Sequence, residues 1–145
     1  MTFIAVSVVI DAPVGRVWGE LADLAAHVEW MADAESIEFI GDSRRDVGTV
    51  MRVETRVGPL RTTDVMEVTE WREGEAIGVV HRGLVTGSGR FQLTSLSGGT
   101  RVEWSERLSF PWWLGGAITA RAARPILRSI WRRSLTSFKL RIEEG

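Results

Sequence analysis

The most regular hydrophobic pattern lies near the end of the chain. Apolar residues recur there at intervals of three and four positions, which is the spacing of one helix face. They are Leu127, Ile130, Trp131, Leu135, Phe138 and Ile142. The pattern predicts a long C-terminal helix with one buried face. Because Pro125 lacks the N–H that a helix interior needs, we expect a kink or break there, with residues 112–124 forming a more mobile gate.

The start of the chain predicts one strand followed by two short helices. Residues 3–10 are β-branched and apolar, and they end at Asp11-Ala12-Pro13, which is typical of the entry to a helix. Helical spacing of apolar residues then runs from residue 14 to 24 and continues weakly toward Trp30 and Met31.

Between these regions, apolar and polar residues alternate and turn signals interrupt them at regular intervals. This predicts six strands at residues 36–40, 48–57, 60–71, 75–84, 87–96 and 100–110. The connections are short, so each strand should pair with the next in an antiparallel sheet. The expected fold class is α+β, a curved sheet that grips the long helix.

Alternation also selects the strand face that points toward the helix, because only one face of each strand is mainly apolar. The inward set comprises Met51, Val53, Met66, Val79, Phe91, Leu93, Trp104 and Leu108. Leu127, Ile130 and Trp131 face these strands from the helix. A mostly apolar wall of this kind is typical of a small-molecule site.

Three polar residues, Asp64, His81 and Glu106, fall on the same inward faces. The turn at residues 72–74 places Asp64 almost opposite His81, where a carboxylate could orient the imidazole for acid–base catalysis. Two structural alternatives remain open. The Asp64–His81 pair could be a satisfied part of the core, and Glu106 could form an ion pair with Arg124 or Arg128.

Composition narrows the chemistry. The 145 residues, 44% of them hydrophobic, suit a single domain spanning 1–145, and the absence of cysteine excludes disulfides and thiolate sites. His27 and His81 are the only histidines and lie on different elements, so no metal site is expected. No phosphate-binding or dinucleotide motif occurs, so no cofactor is expected either.

Charge is uneven along the chain. The net charge is −1, yet residues 112–145 carry seven basic side chains against Glu143 and Glu144. This basic helix lacks a recognised nucleic-acid module, so we expect no nucleic-acid partner. A signal peptide and a membrane-length apolar run are both absent from the sequence, which predicts a cytoplasmic protein.

Three stretches of the chain are distinctive together. They are VVIDAP at residues 8–13 with the helix that follows, the strand pair GSGRFQL at 87–93 and GGTRVEW at 98–104, and the terminal amphipathic helix. In this combination the chain resembles the helix-grip proteins of the SRPBCC superfamily, in particular the bacterial branch similar to polyketide cyclases and dehydrases. The resemblance implies a seven-stranded antiparallel sheet wrapped around the C-terminal helix, two short helices closing one end, and a cavity between sheet and helix.

The same resemblance places the loop containing Trp112 and Trp113 near the cavity mouth. Three interpretations stay open for this pair: a lid over a bound ligand, a cap on the core, or a peripheral membrane contact with Arg121 and Arg124 behind it.

The leading functional hypothesis is a cofactor-free protein that binds a hydrophobic small molecule, such as a lipid, polyketide or aromatic metabolite. One alternative is a cyclase- or dehydrase-like enzyme that uses Asp64, His81 and Glu106. A second is a lipid or quinone carrier that meets membranes through Trp112 and Trp113. The sequence specifies no oligomeric state.

Overall fold

The computed structural model describes residues 2–145, and its elements follow the predicted order. They are β1 (Thr2–Ile10), α1 (Val14–Leu21), a 3₁₀ helix (Leu24–Glu29), β2 (Ala34–Ile40), β3 (Val50–Val57), β4 (Leu60–Arg72), β5 (Ala76–Arg82), β6 (Thr86–Leu96), β7 (Gly99–Ser109), a short 3₁₀ helix (Trp112–Leu114) and α2 (Gly116–Glu144).

The seven strands form one antiparallel sheet in the order β1-β7-β6-β5-β4-β3-β2. Strands β2 to β7 pair with their sequence neighbours because their connections are short, and β1 joins the far edge by pairing with β7. Helix α2 packs against this sheet with Trp131, Leu135, Phe138 and Ile142 buried, as its spacing predicts. The predicted helix-grip fold is confirmed.

The first two helices close one end of the sheet. Arg16 of α1 donates a hydrogen bond to the carbonyl of Ile142 at 2.5 Å, which ties α1 to the end of α2. On its other side, Trp18 donates to Glu73 in the β4–β5 turn at 2.9 Å. The β3–β4 turn and the start of α2 lie at the opposite end of the sheet.

Helix α2 runs without interruption through Pro125, so the expectation of a break there is wrong. Pro125 is exposed, and so is Arg121, whose carbonyl would otherwise accept the missing bond. Water can hydrate a carbonyl on the solvent side, and the remaining backbone bonds hold the 29-residue helix together. Within residues 2–145, no helix is both long enough and apolar enough to cross a membrane.

Candidate functional site

A cavity of about 270 Å³ lies between the concave face of the sheet and α2. The cavity wall is mainly apolar. It includes nine of the predicted lining residues: Met51, Val53, Met66, Val79, Phe91, Trp104, Leu108, Leu127 and Trp131. An aromatic stack forms part of this wall, since the ring centroid of Trp104 lies 5.1 Å from that of Trp131 and 5.0 Å from that of Phe91.

Four predicted lining residues do not contact the cavity. Leu93 is buried in the core, because it lies on the part of β6 that pairs with Val102. Ile130 packs against the core from a partly buried position on α2. Trp112 and Trp113 are 87% and 61% exposed, so they neither line the cavity nor cap the core.

The mouth of the cavity lies between the β3–β4 turn and the first half of α2. Leu60 and Ile126 line the cavity from these two elements, yet their side chains are 55% and 56% exposed. Val85, in the β5–β6 loop, and Phe110, after β7, complete the rim. A ligand can therefore reach the apolar interior from this end.

The main polar feature of the cavity is a hydrogen-bonded pair formed by Glu106 and His81. Nε2 of His81 donates to Oε2 of Glu106 at 2.6 Å, and the indole N–H of Trp104 donates to Oε1 at 3.1 Å. The two residues lie on β7 and β5, which are separated by β6. Gly89 of β6 lies between them, and a Cβ atom there would be 2.4 Å from Oε1 of Glu106. The missing side chain thus lets the carboxylate reach across.

The predicted pairing of Asp64 with His81 is wrong. Met66 is the residue opposite His81 in the register of β4 and β5, and Asp64 lies two positions further along β4. Its Oδ1 atom is buried without a hydrogen-bond partner. The alternative in which Glu106 pairs with Arg124 or Arg128 is also wrong, because within residues 2–145 the ion-pair partner of Glu106 is His81, and Arg124 donates to the carbonyl of Phe3.

Charges within the cavity shift the protonation of these groups. Burial by itself lowers the pKa of His81, but the hydrogen bond to Glu106 and the charges of Glu106 and Asp64 outweigh it, so the pKa is raised. For Asp64, burial raises the pKa, and the charge of His81 offsets this only in part. The protonated imidazolium is therefore favoured beside Glu106.

Sequence reasoning missed Asp33, which lines the cavity just before β2. The indole N–H of Trp131 donates to Oδ2 of Asp33 at 3.2 Å. Burial raises the pKa of Asp33; the bond from Trp131 opposes this shift and the charge of Glu106 adds to it. No periodic signal marks a carboxylate in a connection, so alternation could not have identified Asp33.

His27 also lines the cavity but is a neutral core residue. Its Nε2 donates to the carbonyl of Leu21 at 2.7 Å, and its ring packs against Trp30 and Phe91. Burial lowers the pKa of His27 to about 4. The pKa values of the two histidines are therefore shifted in opposite directions, downward for His27 and upward for His81.

A family model described as polyketide cyclase / dehydrase and lipid transport matches residues 1–143. The chain belongs to this polyketide cyclase/dehydrase and lipid transport family. No curated protein sequence is significantly similar to it.

Solved structures share the fold of this family member at low sequence identity. A protein from Thermus thermophilus is 17% identical, with a TM-score of 0.83 over 99% of this chain and 98% of that one. A START superfamily protein from Mycobacterium smegmatis is 12% identical, with a TM-score of 0.74 over 98% and 97% of the two chains. The Zhui aromatase/cyclase from a Streptomyces species is 18% identical, with a TM-score of 0.72 over 98% and 93%.

In this member of the polyketide cyclase/dehydrase and lipid transport family, the cavity combines an apolar wall with one oriented imidazole. Nε2 of His81 is engaged by Glu106, which leaves Nδ1 as the ring atom that can meet another molecule. An imidazole held by a carboxylate can donate a hydrogen bond or transfer a proton.

Proposed function

We propose that this protein binds a compact, mainly apolar molecule in the cavity and orients its polar end against His81. The size of the cavity supports this class of ligand. An apolar cavity of about 150 Å³ accommodates benzene. The cavity here, about 270 Å³, suits a molecule of roughly two fused rings or a short lipid of similar volume.

The observation that carries the proposal is the His81–Glu106 pair in an otherwise apolar wall. With Nε2 bonded to Glu106 and its pKa raised, His81 offers an Nδ1–H donor to a ligand oxygen. Asp64 lines the same cavity and supplies a carboxyl group as a second polar feature of its wall. A hydroxyl group on an aromatic or polyketide-like skeleton would satisfy both, because its oxygen can accept from Nδ1–H and its O–H can donate to the carboxylate.

Native mass spectrometry of the purified protein, followed by titration with 2-naphthol, tests this function. We expect either a co-purified apolar molecule or saturable one-to-one binding of 2-naphthol. Substituting Val79→Phe, which fills the cavity, should abolish binding, whereas Val9→Phe on the exposed face of β1 should not. The proposal would be overturned if no molecule co-purified with the protein and Val79→Phe and Val9→Phe had the same affinity for 2-naphthol.

A second candidate function is a cofactor-independent enzyme of the cyclase or dehydrase type. The specific observation in its favour is the hydrogen bond between Nε2 of His81 and Glu106, which raises the pKa of His81, because a protonated ring can give its Nδ1 proton to a carbonyl oxygen as an enol forms. Asp33 and Asp64 are the other cavity carboxylates and would supply the base that removes the α-proton. Glu106 would hold the ring and stabilise the imidazolium.

Proton exchange distinguishes the enzyme from a binding protein. The α-protons of 2-tetralone, a ketone with two fused rings, exchange in D₂O at a rate that NMR can follow. An enzyme should accelerate this exchange, and His81→Phe should abolish the acceleration while 2-tetralone still binds. If wild-type protein binds 2-tetralone but exchange stays at the buffer rate, the catalytic role of His81 is excluded and the binding role stands.

A further inference from the structure

Four apolar side chains protrude beside the cavity mouth, and we call them the apolar tip. Trp112 is 87% exposed, Trp113 61%, Leu114 39% and Ile118 81%. Adjacent large apolar side chains with this exposure form a patch of the kind that contacts a partner or a membrane. The tip lies in the chain between Phe110 and Ile126, both of which line the cavity.

The backbone holds the tip in this exposed position. Gly115 and Gly116 both have left-handed φ angles, +94° and +48°, and join the short 3₁₀ helix to α2. The N–H of Gly115 bonds to the carbonyl of Trp112 at 3.0 Å, and the hydroxyl of Thr119 bonds to the carbonyl of Leu114. The two glycines permit a turn that other residues rarely adopt, and the two hydrogen bonds hold this turn together directly after the tryptophans.

The surface behind the tip is strongly basic. Arg121, Arg124, Arg128, Arg132 and Arg133 lie on α2, and no acidic residue occurs from Arg107 to Ile142. Within residues 2–145, none of these five arginines lies within ion-pairing distance of a carboxylate. By contrast, Arg141 near the other end of α2 pairs with Glu20 and Glu29. Three of the five, Arg121, Arg124 and Arg128, lie in the half of α2 that follows the tip, and Arg132 and Arg133 lie just past its midpoint. The ion pairs of α2 within residues 2–145 involve Lys139 and Arg141, close to its other end.

We propose that the apolar tip inserts into the interface of a bilayer that contains anionic lipids, with the α2 arginines against the headgroups. Tryptophan is suited to this position because its ring is apolar and its N–H prefers a wet environment. Unpaired arginines add attraction to a negative surface. Binding in this orientation brings the cavity mouth to the bilayer. The membrane contact made by the tip and the arginines does not depend on whether the cavity holds a ligand.

Vesicle co-sedimentation tests the proposal. Wild-type protein should sediment at low salt with vesicles of phosphatidylcholine and phosphatidylglycerol in equal parts, and much less with phosphatidylcholine alone. The double substitution Trp112→Ser/Trp113→Ser should weaken binding roughly ten-fold or more. Arg121→Gln/Arg124→Gln should weaken it roughly five-fold per arginine.

Matched substitutions away from the tip provide the controls. Val47→Ser removes an apolar side chain that is 55% exposed in the β2–β3 connection, and it should leave binding unchanged. Arg101→Gln on the exposed face of β7 should do the same. Light scattering of each variant shows whether the tip instead joins two copies of the chain.

Two results would overturn the proposal. One is that the wild-type protein fails to sediment with anionic vesicles at low salt. This includes the case in which it does not bind vesicles but forms dimers, and the tryptophan substitutions dissociate those dimers. The other is equal sedimentation of the wild type and the Trp112→Ser/Trp113→Ser variant. Neither result bears on ligand binding in the cavity, which 2-naphthol titration reports separately.

Discussion

Gly89 and Glu106 are partners in the register of β6 and β7, and the Glu106 carboxylate occupies the space that a side chain at position 89 would fill. This relationship makes possible the hydrogen bond between Glu106 and His81 across an intervening strand. The absence of a side chain at Gly89 therefore affects the protonation of His81, although the two residues are not hydrogen-bonded to each other.

Substitution Gly89→Ala should displace the Glu106 carboxylate and lower the pKa of His81. The new Cβ meets the flexible end of Glu106 rather than backbone, so the sheet should survive, with a stability cost of about 1–2 kcal/mol for the weakened bond. The chain has only two histidines, so NMR titration of the imidazole resonances measures this pKa directly.

Gly98→Ala is the matched control, because a Cβ at position 98 meets nothing within 4 Å. It should leave the His81 titration as in the wild type. An unchanged His81 pKa in Gly89→Ala would show that Gly89 does not set the geometry of the pair.

The raised pKa of His81 predicts a pH-dependent contribution to stability. Because the folded-state pKa lies above the ordinary value of 6.5, this contribution is complete below pH 6.5 and is lost as the pH rises through the folded pKa. Urea unfolding of wild type and His81→Gln at several pH values measures it. Their difference in unfolding free energy should shrink above pH 6.5, and a constant difference would contradict the assignment.

The lowered pKa of His27 predicts that folding stability changes in the opposite direction, falling as the pH is lowered. Its folded-state pKa is about 4, below the ordinary value of 6.5, so the unfolded chain binds a proton first as the solution is acidified. Stability should fall by roughly 3 kcal/mol as the pH drops from 6.5 to 4.

His27→Gln should remove this loss, because a glutamine amide can donate to the carbonyl of Leu21 without titrating. The variant needs the same urea series between pH 4 and 6.5. If the wild type and His27→Gln lose stability equally over that interval, another group is responsible.

Asp64 should reduce the stability of the fold in the absence of a ligand. Its Oδ1 atom is buried without a partner, which is unfavourable for a carboxylate. Asp64→Leu should raise the free energy of unfolding at pH 7 by about 1 kcal/mol. Thr63→Val on the exposed face of β4 should change it little, and a destabilised Asp64→Leu variant would contradict the prediction.

The sequence predicted the inward faces of the strands because a period of two leaves only two choices, and apolar residues decide between them. It did not predict the partner of His81. Met66 is opposite His81, and Asp64 lies two positions further along β4, so the turn places Asp64 near His81 without placing it opposite. The actual contact, with Glu106, depends on a glycine in a third strand, so no local pattern records it.

Two other residues show the same limit. Asp33 enters the cavity from a connection, where no periodicity applies. Trp112 is exposed in the segment just before two glycines with left-handed φ angles. Hydrophobicity alone favours burial of such a side chain, so composition could not predict where it lies.

The continuity of α2 has a mechanical consequence. Gly116 and Trp131 lie about 22 Å apart on one uninterrupted helix, at about 1.5 Å per residue. Without a break at Pro125, the segment that follows the tip is continuous with the segment that carries Trp131 of the cavity wall. If the tip meets a bilayer as proposed, a displacement of the tip would be transmitted along this helix toward Trp131.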